Sequence, residues 1–246
     1  MNKLANKIII VTGGSGLLGK AIVDHASSEG ATVINADINL EDDLDNGRLG
    51  CDVTNENSVQ HMIDEVIKRY GRIDGFVNNA YPRTSDWGLK FELIPAQSWK
   101  HNVDLQLNSV FLCCQLVLKV MHKQKSGSIV NISSIYGVVG PDFSVYDGTD
   151  MTMPAAYSAI KGGIVNFSRY LASYYGPSGI RVNCISPGGI FNEQNEIFVE
   201  QYERKVPMRR MGLPSDIAPG VSFLLSDEAS YISGQNLLID GGWTCI

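Results

Sequence analysis

Lys7-Ile8-Ile9-Ile10-Val11-Thr12-Gly13-Gly14-Ser15-Gly16-Leu17-Leu18-Gly19 is the stretch whose reading decides the fold. The β-branched run Lys7–Val11 reads as a short buried strand that stops at a crowd of glycines. Beyond them Leu18, Ala21, Ile22 and His25 fall on one helical face. Four glycines lie within residues 13–19, between the strand and the helix. Removing side chains there lets backbone approach a pyrophosphate, and the helix N-terminus offers free N–H groups and the positive end of its dipole. Gly13, Ser15, Gly16, Leu17, Leu18 and Gly19 are therefore candidate cofactor contacts, and Gly19 lets the helix pack tightly on the strand. Glycines alone also fit a tight strand–helix turn; their placement favours a dinucleotide.

A second apolar run, Ala31–Ala36, ends at Asp37, 18 residues past Gly19. A carboxylate at this place accepts hydrogen bonds from an adenosine ribose and repels a 2′-phosphate. No Lys or Arg follows before Arg48. Asp37 and the adjoining Ile38 thus join the cofactor candidates, with NAD preferred over NADP. Residues 39–50 are polar and turn-rich and read as a loop. Val59, Met62, Ile63, Val66, Ile67 and Tyr70 predict a helix over 56–70, followed by a strand at Ile73–Val77.

The alternation continues with a helix over 98–123, a strand at Ser128–Ser133 and a helix over 157–175. The last carries Ile160, Ile164, Phe167, Leu171 and Tyr174 on its apolar face. Arg181–Ile185 and Leu237–Ile239 read as further strands, with a helix at 215–226 that Pro219 should kink or shorten. Strands alternating with amphipathic helices predict an α/β fold: one Rossmann-like domain over 1–246, a doubly wound parallel sheet with helices on both faces.

Composition narrows the function. With 20 Lys+Arg against 26 Asp+Glu the formal net charge is −6, and the charges are scattered. No nucleic-acid or membrane-surface partner is expected from such a distribution. The cysteines, Cys51, Cys113, Cys114, Cys184 and Cys245, are odd in number and form no C-x-x-C. Neither a disulfide framework nor a metal site is expected, and buried reduced thiols of a cytoplasmic protein are. The opening residues carry only four consecutive apolar positions, so no secretory leader is expected. Phe111–Met121, the longest apolar region, is broken by Gln115 and Lys119 and is too short to span a bilayer.

The catalytic candidates lie further on. Ser133-Ser134-Ile135-Tyr136-Gly137 follows a predicted strand, and Tyr157-Ser158-Ala159-Ile160-Lys161 opens a predicted helix. Tyr157 and Lys161 are four apart and share a helical face. A phenol ionises near ~10. A neighbouring ammonium and a positive nicotinamide favour the phenolate, making Tyr157 a usable acid and base for a carbinol proton.

The whole pattern resembles the short-chain dehydrogenase/reductase family, in its short single-domain branch, from Lys7 to the C-terminus. The marks are the Thr12–Gly19 loop, Asp52-Val53, Asn78-Asn79-Ala80, Ser134, Tyr157 with Lys161, Asn183 with Pro187-Gly188, and Asp240-Gly241-Gly242. The resemblance implies an oxidoreductase. Ser134 would polarise the substrate oxygen, Tyr157 would transfer the proton, and Lys161 would lower the Tyr157 pKa and bind the nicotinamide ribose. It further implies that Asp52 and Val53 face the adenine, Asn79 and Ala80 pass beside the adenosine ribose, the backbone at Ile190 holds the carboxamide, and Pro187 and Gly188 belong to the cofactor site.

Three departures stand out. Leu17 occupies a position where the short branch usually has glycine, and the Gly13, Gly16, Gly19 spacing looks like that of the larger epimerase branch. Gln106 aligns with the Asn of the family's proton relay, while Asn108 lies on another side of the helix. Ser134 and Tyr157 are 23 residues apart, a longer spacing than is usual in the family, and the extra stretch Val138–Pro154 is rich in polar and aromatic residues.

Tyr81–Trp99, the 138–154 insertion and the region after Pro187 make a polar, aromatic substrate wall without a long apolar groove. Segments such as Asn79-Ala80-Tyr81-Pro82-Arg83 look similar to a subgroup found in bacterial flagellin-modification and nonulosonic (legionaminic-type) sugar clusters. That implies a phosphorylated or amino sugar, with Arg83 and Lys90 as candidate phosphate contacts. A 3-oxoacyl or small-ketone reductase is the alternative enzyme, and a nucleotide-binding scaffold with little catalysis is the alternative of another class. The resemblance also implies a homotetramer (or dimer) built on the helices at 98–123 and 157–175, with Trp243–Ile246 reaching a neighbour.

Overall fold

The structure is a computed structural model that describes residues 2–246. In chain order it runs β1 (Ile8–Thr12), α1 (Leu17–Ser28), β2 (Thr32–Asp37), β3 (Arg48–Gly50), α2 (Glu56–Tyr70), β4 (Gly75–Asn78) and α3 (Ala96–Val103). It continues with α4 (Ser109–Gln124), β5 (Gly127–Ile132), α5 (Ala155–Tyr175), β6 (Ile180–Pro187), α6 (Glu196–Lys205), α7 (Pro214–Leu225) and β7 (Asn236–Ile239). The strands form one sheet of order β3-β2-β1-β4-β5-β6-β7, and every pairing is parallel. Strand order reverses between β1 and β4, so their C-terminal ends diverge and leave a crevice there.

Two apolar layers sandwich the sheet. Ile8, Ile10, Phe76 and Ile129 face Met62 and Val66 of α2, Val117 and Met121 of α4, and Ile160 and Ile164 of α5. Ile9, Val11, Val77, Val130 and Ile185 face Ile22 and Ala26 of α1 and Ile217, Val221 and Leu224 of α7. Burial on both faces explains why the strands read as unbroken apolar runs rather than alternating ones. α2 keeps its predicted limits because both ends are capped: the Asn55 side chain accepts from Ser58 N, and Gly71 ends the helix in the left-handed region.

The structure corrects several expectations. The loop at 39–50 contains a 3₁₀ turn at Leu44–Asn46 and an edge strand, β3, paired to β2. The helix expected at 98–123 runs over Ala96–Gln124 but passes through a π-helical turn at Asp104–Asn108. By length and composition alone that helix contains a stretch apolar enough to cross a membrane; its buried residues Val110, Cys114, Val117 and Met121 pack on the sheet. α7 continues through Pro219, whose missing N–H would have met a carbonyl of the helix's own first turn. On α5, Phe167 is half-buried and packs against the core with Ile160, Ile164 and Leu171, whereas Tyr174 is exposed. Cys245 is exposed, whereas the other four thiols are buried. Trp243 stacks on Tyr202 of its own chain, with ring centroids 4.5 Å apart.

A third, smaller cluster covers the crevice. Val145 and Tyr146 of the 138–154 insertion pack with Phe198, Tyr202 and Val206 from α6 and its C-terminal boundary, and with Met211. Gln201 Nε2 donates to the Asp147 carbonyl at 2.7 Å, and Lys205 pairs with Asp142.

Gly19 is where α1 meets the loop. A Cβ there would lie 2.0 Å from the Gly13 carbonyl oxygen and 2.7 Å from Gly14 Cα. Gly19→Ala should lower the unfolding free energy by about 1–3 kcal/mol, read from urea denaturation; an unchanged midpoint would contradict this packing.

Candidate active site

A cleft of about 700 Å³ opens over the C-terminal ends of β1, β4, β5 and β6. One end is built by the glycine loop: Gly13, Gly16, Leu17, Leu18 and Gly19 line it, with Asp37, Asn79 and Ala80 beside them. The other end is lined by Ser134, Tyr157, Lys161, Pro187, Gly188 and Ile190.

Backbone chemistry sets the first end. Gly13 has φ +62, and a Cβ on it would sit 2.8 Å from Ala80 Cα. Asn79 Nδ2 donates to the Thr12 and Gly13 carbonyls at 3.0 Å each. The α1 helix carries no acid in its first turn, and Gly16 caps it in an extended conformation, so its positive end faces the cleft unneutralised. Leu17, the departure from the usual glycine, is 46% exposed, so its side chain extends the cleft rim rather than crowding the loop. Asp37 is buried and accepts from Ser15 N at 3.2 Å and Asn39 N at 3.2 Å. A cradle of small residues, an open helix N-terminus and a carboxylate beyond them fit a dinucleotide cofactor.

Not every predicted cofactor residue reaches the cleft wall. Ser15 contributes its backbone N–H to Asp37. Ile38 is 66% exposed beside it. Val53 is buried in the core, and the Asp52 carboxylate turns onto Thr54 N and Oγ1 at 2.9 and 2.7 Å. Lys90, expected as a phosphate contact, is exposed and lies outside the wall, whereas Arg83 lines it.

Ser134, Tyr157 and Lys161 converge because Gly137 lets two segments touch. A Cβ on Gly137 would lie 2.7 Å from the Lys161 carbonyl carbon. Ser133 Oγ donates to the Lys161 carbonyl at 2.9 Å, tying β5 to α5. Ser134 Oγ accepts from Tyr136 N at 3.2 Å, which leaves its own proton free to donate. Lys161 Nζ donates to the Ile132 carbonyl at 3.0 Å and lies 5.5 Å from the Tyr157 ring centroid.

Burial is the larger influence on both titrating groups. It pushes the Tyr157 phenol up, and the Ser134 hydroxyl pulls it back down. The Lys161 ammonium is pushed down to about 8 by burial.

Gln106 occupies the π turn, is 3% exposed, and neither of its amide atoms has a hydrogen-bond partner among the described residues. It does not line the cleft. Asn108 is exposed and donates to Asp104 Oδ1 at 2.8 Å. In the insertion, Tyr146, Met151, Thr152, Met153 and Pro154 form the wall, while Asp142 pairs with Lys205 and Phe143 is exposed.

Phe198 and Tyr202 of α6 lie within the region after Pro187 that was expected as wall, and both line the cleft, whereas Met211 is a wall residue that sequence reasoning missed. Tyr202 OH accepts from Gly189 N. Tyr81 fell within the expected wall, but its position against the catalytic phenol did not follow from the chain. Its ring centroid lies 5.8 Å from that of Tyr157 and 6.0 Å from that of Trp87, both edge-on.

Residues 15–244 match the family model described as Enoyl-(Acyl carrier protein) reductase. The chain is a member of the short-chain dehydrogenase/reductase family. It is thus an oxidoreductase of a family that uses NAD or NADP. It is 36% identical to the post-translational flagellin modification protein A of Campylobacter coli, over 98% of this chain and 99% of that one. It is 32% identical to a 3-oxoacyl-(acyl-carrier-protein) reductase of Thermotoga maritima, over 98% of each. A short-chain dehydrogenase from Leptospira borgpetersenii, solved with bound NAD+, superposes with a TM-score of 0.88 at 36% identity, covering 98% of this chain and 94% of that one.

The buried lysine has a measurable consequence. Between about 8 and the ordinary lysine value near ~10.4, the unfolded dehydrogenase binds more protons than the folded one. Folding stability therefore gains with rising pH across that window, and the penalty is complete below it. The melting temperature of the wild type relative to Lys161→Met should rise from about pH 8 upward; a flat difference would count against this burial.

Proposed function

We propose that this dehydrogenase moves a hydride between NAD(H) and a secondary alcohol or ketone of a sugar or sugar phosphate, in surface-glycan or flagellin-modification biosynthesis. The observation that carries the reading is the convergence of Ser134, Tyr157 and Lys161 at one end of a cleft whose other end holds the glycine loop and Asp37. NAD, when bound, supplies the hydride acceptor. Gly13, Ser15, Gly16, Leu17, Leu18 and Gly19 would cradle its phosphates, and Asp37 with Ile38 would take the adenosine ribose. Asp52 and Val53 would flank the adenine, and Pro187, Gly188 and Ile190 the carboxamide. Asp37 also supports NAD over NADP, since a buried carboxylate repels a 2′-phosphate.

The chain's own groups then move one proton. The Tyr157 phenolate takes it from the carbinol in oxidation, and the resulting phenol returns it to the carbonyl oxygen in reduction. Ser134 donates to the same oxygen with the proton that its bond from Tyr136 N leaves free. Lys161, anchored on Ile132, keeps N–H groups for the nicotinamide ribose. Gln106, buried with an unpaired amide, stands as the relay group behind them.

A sugar substrate is supported by the phenols of Tyr136, Tyr146 and Tyr202 and the amides of Asn192 and Gln194 in the wall, and by the flagellin-modification relative. The second reading, a 3-oxoacyl reductase, is favoured by the family-model description and the Thermotoga relative. A dehydrogenase screen with NAD and NADP against hexose phosphates, amino sugars and acyl thioesters separates them. Sugar turnover with NAD is expected, and Tyr157→Phe should abolish it while NADH binding stays near the wild-type value. Equal activity in that variant would overturn the mechanism.

Location in the cytoplasm and assembly as a homotetramer (or dimer) belong to the same reading. Assembly is supported by a ladder of aromatics on α4 and α5. Phe111–Phe167, Phe167–Tyr170 and Tyr170–Tyr174 have centroids 6.1, 6.4 and 6.0 Å apart, and Phe111, Tyr170 and Tyr174 are exposed. Light scattering should give a tetramer mass that falls in Tyr170→Asp/Tyr174→Asp; a monomeric wild type would refute assembly.

A further inference from the structure

We infer that Arg83, laid against Tyr81, is an anion-binding specificity residue, and that the substrate of this enzyme carries a phosphate or carboxylate group. The inference rests on the oxidoreductase reading and selects among the sugars that reading allows.

The charge distribution in the cleft is one-sided. Among the described residues Asp37 is the only carboxylate in its wall, and it sits at the glycine-loop end. Around Tyr157 the wall holds two cations, Lys161 and Arg83, and no acid. Lys161 is fastened to the Ile132 carbonyl and belongs to the catalytic group. Arg83 makes no ion pair among the described residues. Asp86, the acid nearest in its loop, is engaged elsewhere: its Oδ1 accepts from Ser98 Oγ at 2.9 Å, and Thr84 and Ser98 together hold its carboxyl below the usual range.

Arg83 is nonetheless held in place. Its guanidinium carbon lies 5.4 Å from the Tyr81 ring centroid. Tyr81 is in turn braced edge-on by Trp87. The guanidinium also lies within hydrogen-bonding reach of the Tyr81 hydroxyl, and its planar fork has further N–H groups that match phosphate and carboxylate oxygens. Tyr81 also fixes where that fork stands relative to the chemistry. The same ring that carries Arg83 at 5.4 Å has the Tyr157 ring at 5.8 Å. A substrate with its carbinol at Tyr157 and its anion at Arg83 therefore spans one aromatic ring. That suits a small molecule whose anion lies a few bonds from the reacting carbon, its apolar face on Tyr81.

The same distribution discriminates. An ammonium group placed here would meet two cations and no carboxylate, an uncompensated repulsion. An anion would gain a charge-assisted, bidentate contact. The cleft thus selects the phosphorylated or carboxylated sugar over the cationic amino sugar.

Isothermal titration of NADH-loaded enzyme with glucose 6-phosphate, glucuronate, glucose and glucosamine tests this without turnover. The wild type should bind at least one of the two anionic probes about 10–100-fold tighter than glucose, with glucosamine weakest. Whichever anion leads identifies phosphate or carboxylate as the natural group. Arg83→Gln should remove the preference and Arg83→Lys should keep part of it, both with NADH affinity unchanged. Glucose or glucosamine binding as tightly as both anions, a preference that survives Arg83→Gln, or a loss of NADH affinity in its place would overturn the proposal. Absence of NAD reduction with every probe would count against the oxidoreductase reading alone, since the anion preference is read from affinities.

Discussion

The Thr12 hydroxyl joins the two halves of the sheet where they part. It donates to the Val77 carbonyl at 3.1 Å and accepts from Asn79 N and Ala80 N at 3.1 and 3.2 Å. Asn79 answers with its side-chain amide on the Thr12 and Gly13 carbonyls. β1 and β4 are thereby locked together just as their connections leave in opposite directions. Backbone must lie on backbone at this point, and only a residue without a Cβ fits at Gly13 and Gly19. The phosphate floor, the mouth of α1 and the start of the Tyr81–Arg83 wall all take their positions from that joint.

A string of buried polar groups does the same for the catalytic end. Asn78 Nδ2 donates to Asn131 Oδ1 at 2.7 Å, and Asn131 Nδ2 donates to Ser168 Oγ at 2.7 Å. Cys184 Sγ closes on the same hydroxyl at 3.0 Å. These bonds cross β4, β5, α5 and β6 at one level of the fold. Each is worth only about 1 kcal/mol net, but leaving one partner unpaired costs more. The arrangement therefore resists sliding of α5 along the sheet, and α5 carries both Tyr157 and Lys161. Gln106, in the neighbouring π turn, is the exception, with an unpaired amide at the same depth. π turns inside α-helices are frequent at functional sites.

Legibility along the chain followed how locally each feature is encoded. The central strands and α2 were readable because burial on both sheet faces, or on one helix stripe, leaves a periodic apolar trace. β3 was not, since only Leu49 of its three residues is buried and an edge strand leaves little pattern. α6 was not, since within Glu196–Lys205 only Phe198 and Tyr202 are buried. The π turn leaves no compositional sign at all. Among the site residues, Ser134, Tyr157, Lys161 and Asp37 were legible through their spacing and their places at strand and helix ends. Val53 and Lys90 lie outside the cleft wall, because proximity in the chain says nothing of side-chain direction.

The chain's linear pattern was sufficient for the doubly wound sheet, the glycine loop, the family and the grouping of Ser134, Tyr157 and Lys161. All of these rest on short-range periodicity or on motifs a few residues long. Which surfaces close over the cleft was decided only in three dimensions. The 138–154 insertion becomes a wall because Val145 and Tyr146 find Phe198 and Tyr202, which lie far along the chain. Tyr81 meets Tyr157, and Arg83 is left without a counter-charge, for the same reason. Contacts between distant segments depend on how whole layers pack, and no local stretch of sequence carries that information.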